Sequence, residues 1–498
     1  MNKFIHYIKR AVIRYLYIVG ILFNVGLVLA AVIGVFSSIY IYRSYQLPAY
    51  VFFEKAEQSL ANNQSPLLNK LALPAGVLSK WLSPISDSKR LSVSGHEQII
   101  GAHELHSHVP DYRGKEERLY PHYQQLAASS YARTVHVNST KALLKAIKAV
   151  QPGDDIVIAR GDYFIKQPRI YLTVNGEQYK PIRIRAERFG DVTISLSSYE
   201  GFVMQGNYWS IENLKINGEC KKHLSCEHAL HIVGGQNIIV RNNEITNFNS
   251  IIKANGRGKS NQRLYPDDIL IEQNSFYNTS RRNTHTAVTL IDVVAGDNWL
   301  VRKNIIAGNS KNGSDRTSYA AFLKGNSSNG LFERNIVDCD KSLEQDGSTR
   351  IGLSFGGGGT GTAYCRDANC AAEHRNGVMR NNLILNCQRD VGVYLNKANN
   401  SQLIHNTIIN NLGVDVRFSA SDVVSRANLT TAAIRERDGG QLISHEDVVI
   451  REVNVEEIPL TKSEATHDLC GDNRGKFSAV GAMNRQCLGK ITIIKENN

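Results

Sequence analysis

Asparagine returns along this 498-residue chain at a nearly constant interval, each time closing a short apolar run. The step reads Ile211-Glu212-Asn213-Leu214, Arg241-Asn242-Asn243-Glu244-Ile245, Glu272-Gln273-Asn274-Ser275-Phe276, Arg302-Lys303-Asn304-Ile305, Glu333-Arg334-Asn335-Ile336, Arg380-Asn381-Asn382-Leu383 and Ile404-His405-Asn406-Thr407-Ile408. Successive asparagines, from Asn213 to Asn406, lie 30, 31, 30, 31, 47 and 24 residues apart. A repeat of that length marks stacked supersecondary units. The β-branched runs beside each Asn make those units strands rather than helix pairs. The chain therefore reads as all-β, a single-stranded right-handed parallel β-helix whose asparagines stack at one corner, each amide bonding the next. Such a ladder satisfies polar groups that would otherwise be buried unpaired.

Composition shifts divide the chain into segments 1–14, 15–42, 43–133, 134–440 and 441–498. Tyr15 to Tyr42 is almost wholly apolar and long enough to span a bilayer with some tilt. Lys3, Lys9, Arg10 and Arg14 precede it, and only Arg43 follows at once. That asymmetry predicts a single-pass anchor in the cytoplasmic membrane, with the N-terminus inside and the β-helix in the periplasm. The run is too long for a cleaved signal core. Residues 43–133 read as a proline-bearing stalk with short helices such as Phe53 to Leu60. Residues 441–498 lack the Asn step and read as a cap.

The eight cysteines fit an oxidising compartment. Cys220 with Cys226, and Cys365 with Cys370, are spaced to close small loops. Cys470 with Cys487 is spaced to tie the tail. Cys339 and Cys387 follow Asn steps of neighbouring coils and suit a bridge between them. Metal ligation is the competing reading, although none of these spacings is a zinc pattern. The net charge of +12 favours a polyanionic partner. No helix-turn-helix, RNA-binding or zinc-finger signature points to nucleic acid.

The solenoid opens at about Thr134. Ser139 or Thr140 caps a predicted helix through Val150, with Leu143, Ile147 and Val150 on the face that closes the first coil. The run from Ser139-Thr140-Lys141-Ala142-Leu143 through Gln151-Pro152-Gly153-Asp154, Gly161-Asp162-Tyr163, Pro181-Ile182-Arg183-Ile184-Arg185-Ala186-Glu187 and Gly190-Asp191-Val192-Thr193-Ile194 follows. With Tyr208-Trp209-Ser210-Ile211-Glu212-Asn213-Leu214, it resembles the chondroitinase B-like polysaccharide lyases, family six, which also holds alginate lyases. The resemblance covers about Thr134 to Asn428. It implies a Lys acting as base, an Arg on the next coil, and calcium held by carboxylates on the preceding strand. Lys324, before a Ser-Asn turn and the Asn step, falls where the family Lys sits. The preceding Thr317-Ser318-Tyr319-Ala320-Ala321 lacks the calcium-binding carboxylates. The family's Arg-His-Gly is replaced by Ser354-Phe355-Gly356-Gly357-Gly358-Gly359, so a displaced Arg350 would have to stand in. Calcium remains an open cofactor, and guanidinium groups are the alternative carboxylate partners.

In a parallel β-helix, equivalent residues of successive coils stack about 4.8 Å apart. Counting 11 residues back from Asn243, Asn304, Asn335 and Asn406 gives Ile232, Val293, Lys324 and Leu395 and, from Asn428, Arg417. A one-residue shift brings in His231, Asp292 and Tyr394, so the strip reads as a groove for an acidic sugar chain. The 47-residue coil carries its excess in Gly356 to Gly377. That loop, stapled by Cys365 and Cys370, is expected to bring Glu373 and His374 toward Lys324 and Arg350. Glu227-His228-Ala229-Leu230-His231 is not a zincin motif, and on a strand His228 and His231 should face opposite ways. His285 and His405 read as turn or corner residues.

These residues lead to a β-helix acting on an anionic, uronate-containing polysaccharide by β-elimination. Lys324 would be the base, Arg350 and Arg417 the carboxylate partners, and His374 or Tyr394 the acid. Asp292, His231 and Glu373 would complete substrate binding. A uronate C5-epimerase and a non-catalytic glycan-binding scaffold are the alternatives. Glycoside hydrolysis needs two carboxylates across the scissile bond, and no convincing pair is seen.

Overall fold

A computed structural model describes residues 131–450 except 260–261, 314–315, 341–347, 358 and 388. It also describes most of 458–495 and, nearer the N-terminus, 36–41, 49–61, 70–82, 91–94 and the single positions 25, 33, 43 and 65. The chain divides into two compact units, Met1–Asp87 and Ser88–Asn498. In the first, helix Ala49–Ala61 packs on helix Ala72–Leu82. The apolar run Tyr15 to Tyr42 lies mostly outside the described residues. Among those described, no helix is long and apolar enough to cross a membrane.

The second unit is a parallel β-helix built on three sheets. Each coil visits a first sheet of 12 strands, a second of 11 and a third of 10, always in that order and always in parallel. Arg133–Val137 opens the first sheet, and Gln441–His445 ends it. Helix Thr140–Lys148 covers the N-terminal end with Leu143 and Ile147 buried, and its Ser139 side chain accepts from Ala142 N–H. That cap removes one unpaired amide from the helix start.

Strand alternation sends every second side chain inward, where like stacks on like. In the first sheet Ile184, Ile211, Val240, Ile271, Val301, Phe332, Met379 and Leu403 lie in register, all fully buried. The corner between first and second sheets carries the asparagine ladder. Asn243, Asn274, Asn304, Asn335, Asn382, Asn406 and Asn428 each donate Nδ2–H to the next carboxamide or, last, to Asp447, at 2.8–3.1 Å. The same oxygens accept the backbone N–H one coil back. Asn213 stands one place aside: it accepts from Asn242, while Leu214 N–H takes the ladder position and donates to Asn243. The turn residue before each ladder Asn has positive φ, as at Asn242, Gln273 and Lys303.

Outside this corner, the first sheet ends in a column of alternating charge. Arg185, Glu212, Arg241, Glu272, Arg302, Glu333 and Arg380 pair in register. Nearby guanidinium groups hold the Glu212, Glu272 and Glu333 carboxyls below their usual range despite burial: Arg241 and Arg183 at Glu212, Arg302 at Glu272, and Arg380 and Arg302 at Glu333. All eight cysteines pair as Cys220–Cys226, Cys339–Cys387, Cys365–Cys370 and Cys470–Cys487. The tail after 458 folds against the outside of the solenoid, where Arg474 donates to Asn381 Oδ1 at 3.0 Å.

Candidate active site

Two outward columns run along the third sheet. One aligns Tyr171, Val203, His231, Lys253, Asp292, Phe322, Ser354, Tyr394, Asp415 and Arg435. The other carries Val294 beside Lys324 and, past the Gly356 rung, Asn396, Arg417 and Arg437. The 11-residue count lands one place short of this face for Ile232, Val293 and Leu395, which point into the core at 0% exposure. Lys324 and Arg417 face out, as do His231, Asp292 and Tyr394.

A cleft of about 520 Å³ opens over Lys324. Lys253, Asn255, Val294 and Lys324 form its floor. Gly256, Gly258 and Arg263 line it from the hairpin bridged at Arg257 and Leu264, and Gly359, Thr360, Gly361 and Tyr364 line it from the glycine-rich loop. The loop leaves the sheet after Phe355, on the rung following Lys324. It can do so because Gly356 has φ of 76° and a Cβ there would meet Asn396 O at 1.9 Å.

Two anchors hold the loop. Glu373 accepts from Gly325 N–H at 2.8 Å, Thr360 N–H at 3.0 Å and Thr360 Oγ1 at 2.8 Å. Arg366, beside the Cys365–Cys370 staple, bonds Asp267 and reaches Asp297 at 3.0 Å and Ala295 O at 2.9 Å, its guanidinium 4.2 Å over the Tyr265 ring. Arg263 Nη1 donates to Ala363 O at 2.7 Å, tying hairpin to loop.

The electrostatics of the cleft centre on three cations and one carboxylate. Lys253 Nζ lies 2.8 Å from Asp292 Oδ2. Asp292 Oδ1 is buried without a hydrogen-bond partner among the described residues. Lys324 Nζ sits 4.3 Å over the Phe322 ring and makes no salt bridge among those residues. Burial, aided by Lys253, lowers the Lys324 pKa, while Asp292 and Glu373 oppose the shift. A half-buried amine with a depressed pKa, open to a cleft, is suited to taking a proton.

The structure corrects several expectations. Arg350 is buried at 2% exposure in an ion pair with Asp340 and bonds Ser348 Oγ, so its guanidinium is committed away from the cleft. His374 is fully buried, stacked 4.3 Å from the Phe355 ring, with Nδ1 2.7 Å from Ser327 Oγ and Nε2 accepting from Gly330 N–H. Burial takes its pKa down to about 3, and it cannot serve as the acid. Glu373 is near Lys324, as expected, but 3% exposed and fully engaged in holding the loop. Tyr394 Oη is held by Arg417 at 3.2 Å and Asn396 at 3.3 Å, two rungs from Lys324; Arg417 also pairs with Asp438. His231 bridges Glu200 and Asn255, at 3.0 and 2.8 Å. His228 does not face away from it: the rings lie 5.0 Å apart. Between them Ala229 and Leu230 are both buried, so the strict in–out alternation of the strand is broken there.

Lys253, Asn255, Arg263, Thr360 and Tyr364 went unread in the sequence. The hairpin displaces Lys253 from the step count, so counting back from Asn274 lands on Arg263 in the insertion.

Calcium takes six to eight oxygen ligands, roughly. The cleft offers one carboxylate, already paired with Lys253 and flanked by Lys324, and this donor set does not suit the ion. Among the described residues, the two clusters with metal-ligating side chains, Cys365-Asp367-Cys370 and Asp468-Cys470-Cys487, have their sulfurs in disulfides.

Comparison with known proteins adds the following. The sequence model of the Pel9A-like right-handed β-helix region matches residues 123–419. Among solved structures, the alginate lyase from Paenibacillus sp. str. FPU-7 is similar at 16% identity and a TM-score of 0.33, over 63% of this chain and 99% of that one. Pectate lyase Pel9A is similar at 12% identity and 0.40, over 72% and 98%. The GH136 lacto-N-biosidase from Eubacterium ramulus is similar at 11% and 0.42, over 83% and 80%. No curated protein matches the chain. The family match spans more than half of the residues and coincides with the coils that carry the cleft, and the chain belongs to the Pel9A-like right-handed β-helix family.

Proposed function

We propose that the protein cleaves an anionic, uronate-containing polysaccharide by β-elimination in the cleft over Lys324. The observation that carries this reading is the half-buried Lys324 amine, without a salt bridge among the described residues, lining one cleft with Lys253 and Arg263. The uronate carboxylate is neutralised by Lys253 and Arg263, which makes the C5 proton more acidic. Neutral Lys324 takes that proton. The C5–H electron pair forms the C4–C5 double bond, and the C4–O4 bond breaks. Tyr364, exposed at the rim, is the hydroxyl available to protonate the departing O4. Asp292 is a positioning residue: it holds Lys253 and opposes the lowering of the Lys324 pKa that burial causes. No step is routed through calcium.

An ultraviolet absorbance assay for the unsaturated uronate product, over pectate, alginate, chondroitin and hyaluronan, tests this. Absorbance should rise with one polymer and stay flat with folded Lys324→Ala. A flat trace with wild-type protein on every polymer would remove the proposal. The second reading, glycan binding without turnover, draws on the sequestration of Arg350 and His374; it predicts polymer retention without product. A C5-epimerase would use the same proton abstraction and also give no absorbance. The four disulfides and the apolar run before Arg43 support an anchored protein with its β-helix outside the cytoplasm. Protease access in spheroplasts would test that placement.

A further inference from the structure

We infer that the polysaccharide chain extends from the Lys324 cleft toward the N-terminal coils and that Tyr171 forms a distal sugar-stacking subsite. This rests on the reading of the cleft as a uronate site.

The outward columns of the third sheet differ in character on the two sides of Lys324. Toward the C-terminus, each guanidinium is tied to a carboxylate: Arg417 pairs with Asp438, and Arg435 and Arg437 share Asp415. Asp438 is close to half exposed there, so that side presents a carboxylate to an incoming polyanion. The glycine-rich loop also leaves the sheet on the first rung of that side.

Toward the N-terminus, Lys253 pairs with Asp292 and Arg169 with Glu200, while Lys324 and Arg263 make no salt bridge among the described residues, so cationic groups without a carboxylate partner lie on this side. Between them the outward positions are Val294, Asn255, Val233 and His231, with Val203 buried at 2% exposure before Tyr171. Tyr171 ends the column, in register with Val203 and His231 and 52% exposed. Arg169 is fixed beside it by two hydrogen bonds to Glu200, at 2.9 and 3.0 Å, and lies 5.8 Å from the Tyr199 ring. An exposed tyrosine next to a guanidinium held in place suits the apolar face of a pyranose and its carboxylate. Tyr171 is five rungs from Lys324, or about 24 Å at the spacing of hydrogen-bonded strands. That distance places several sugars between the reacting bond and the stack.

The experiment compares wild type, Tyr171→Ala and the control Tyr179→Ala, a still more exposed tyrosine off this sheet. Steady-state kinetics are measured on whichever of polygalacturonate or alginate is cleaved, and on size-fractionated oligomers of it. Tyr171→Ala should raise KM for the polymer on the order of threefold to tenfold with kcat unchanged, the loss of one stacking contact. Short oligomers that cannot reach Tyr171 should show no change, and neither should Tyr179→Ala. Equal KM for wild type and Tyr171→Ala on the polymer, or a loss that persists on disaccharides, would overturn the subsite while leaving the cleft assignment standing. Absence of cleavage and of binding in affinity electrophoresis by the wild type would instead overturn the cleft and the subsite with it.

Discussion

Replacing Asn304 by alanine tests whether the buried ladder holds the solenoid together. Its Oδ1 accepts from Asn274 N–H at 2.9 Å and Asn274 Nδ2 at 3.0 Å; its Nδ2 donates to Ile271 O at 2.9 Å and Asn335 Oδ1 at 3.1 Å. Asn274 Nδ2 retains Val240 O and Glu272 O, and Asn335 Oδ1 retains the Asn304 backbone N–H. Two buried main-chain groups therefore lose a partner: the Asn274 N–H and the Ile271 carbonyl. Each unsatisfied buried group costs about 1–3 kcal/mol, so Asn304→Ala should destabilise by about 2–6 kcal/mol. Asn329→Gly is the matched comparison, because glycine tolerates the φ of 55° at that turn. That residue belongs to an exposed ladder, donating to Asn298 and accepting from Asn376, and water replaces what it loses. Its cost should stay below about 1 kcal/mol. Urea unfolding followed by circular dichroism, with constant slope, reads both. Equal midpoints for the two variants would refute the argument that burial of the ladder, rather than its repetition, carries the stability.

The other predictions concern the cleft. Lys324 is active as a neutral amine, so kcat/KM should rise with pH through its depressed pKa; Asp292→Asn removes a group that raises this pKa and should move that limb to lower pH. A limb that stays put in Asp292→Asn would separate the two residues. Arg366→Ala leaves Asp267 and Asp297 without their cation and should open 356–377 to limited proteolysis and raise KM; an unchanged digestion pattern would show that Glu373 and the disulfide suffice. Chelation with EDTA should leave turnover unchanged, because the cleft's one carboxylate is committed to Lys253; a loss restored by calcium would reverse that reading.

The solenoid was legible because its strongest signal, the ladder Asn, recurs once per coil and sits where the backbone must turn with positive φ. The same signal misled by one position at Asn213, since neighbouring corner residues also stack as asparagines. The floor of the cleft was half legible: Lys324 falls on an uninterrupted coil, whereas Lys253 precedes an inserted hairpin that breaks the count. The long coil was the weakest point. His374 reads as a polar loop residue, yet Ser327–Ser328, His374–Arg375 and Ala398–Asn399 form a small parallel sheet that turns its ring against Phe355. Arg350 was expected in the groove because it opens a strand there; its pairing with Asp340 depends on a connection whose path no periodicity describes.

Mass spectrometry of the sugar ends released from a uronate polymer measures the central claim most directly. Wild-type protein should yield non-reducing ends that have lost the elements of water relative to hydrolysis, and Lys324→Ala should yield no new ends. Fully hydrated ends, or unsaturated ends that persist without the Lys324 amine, would contradict the assignment of this cleft as the seat of β-elimination.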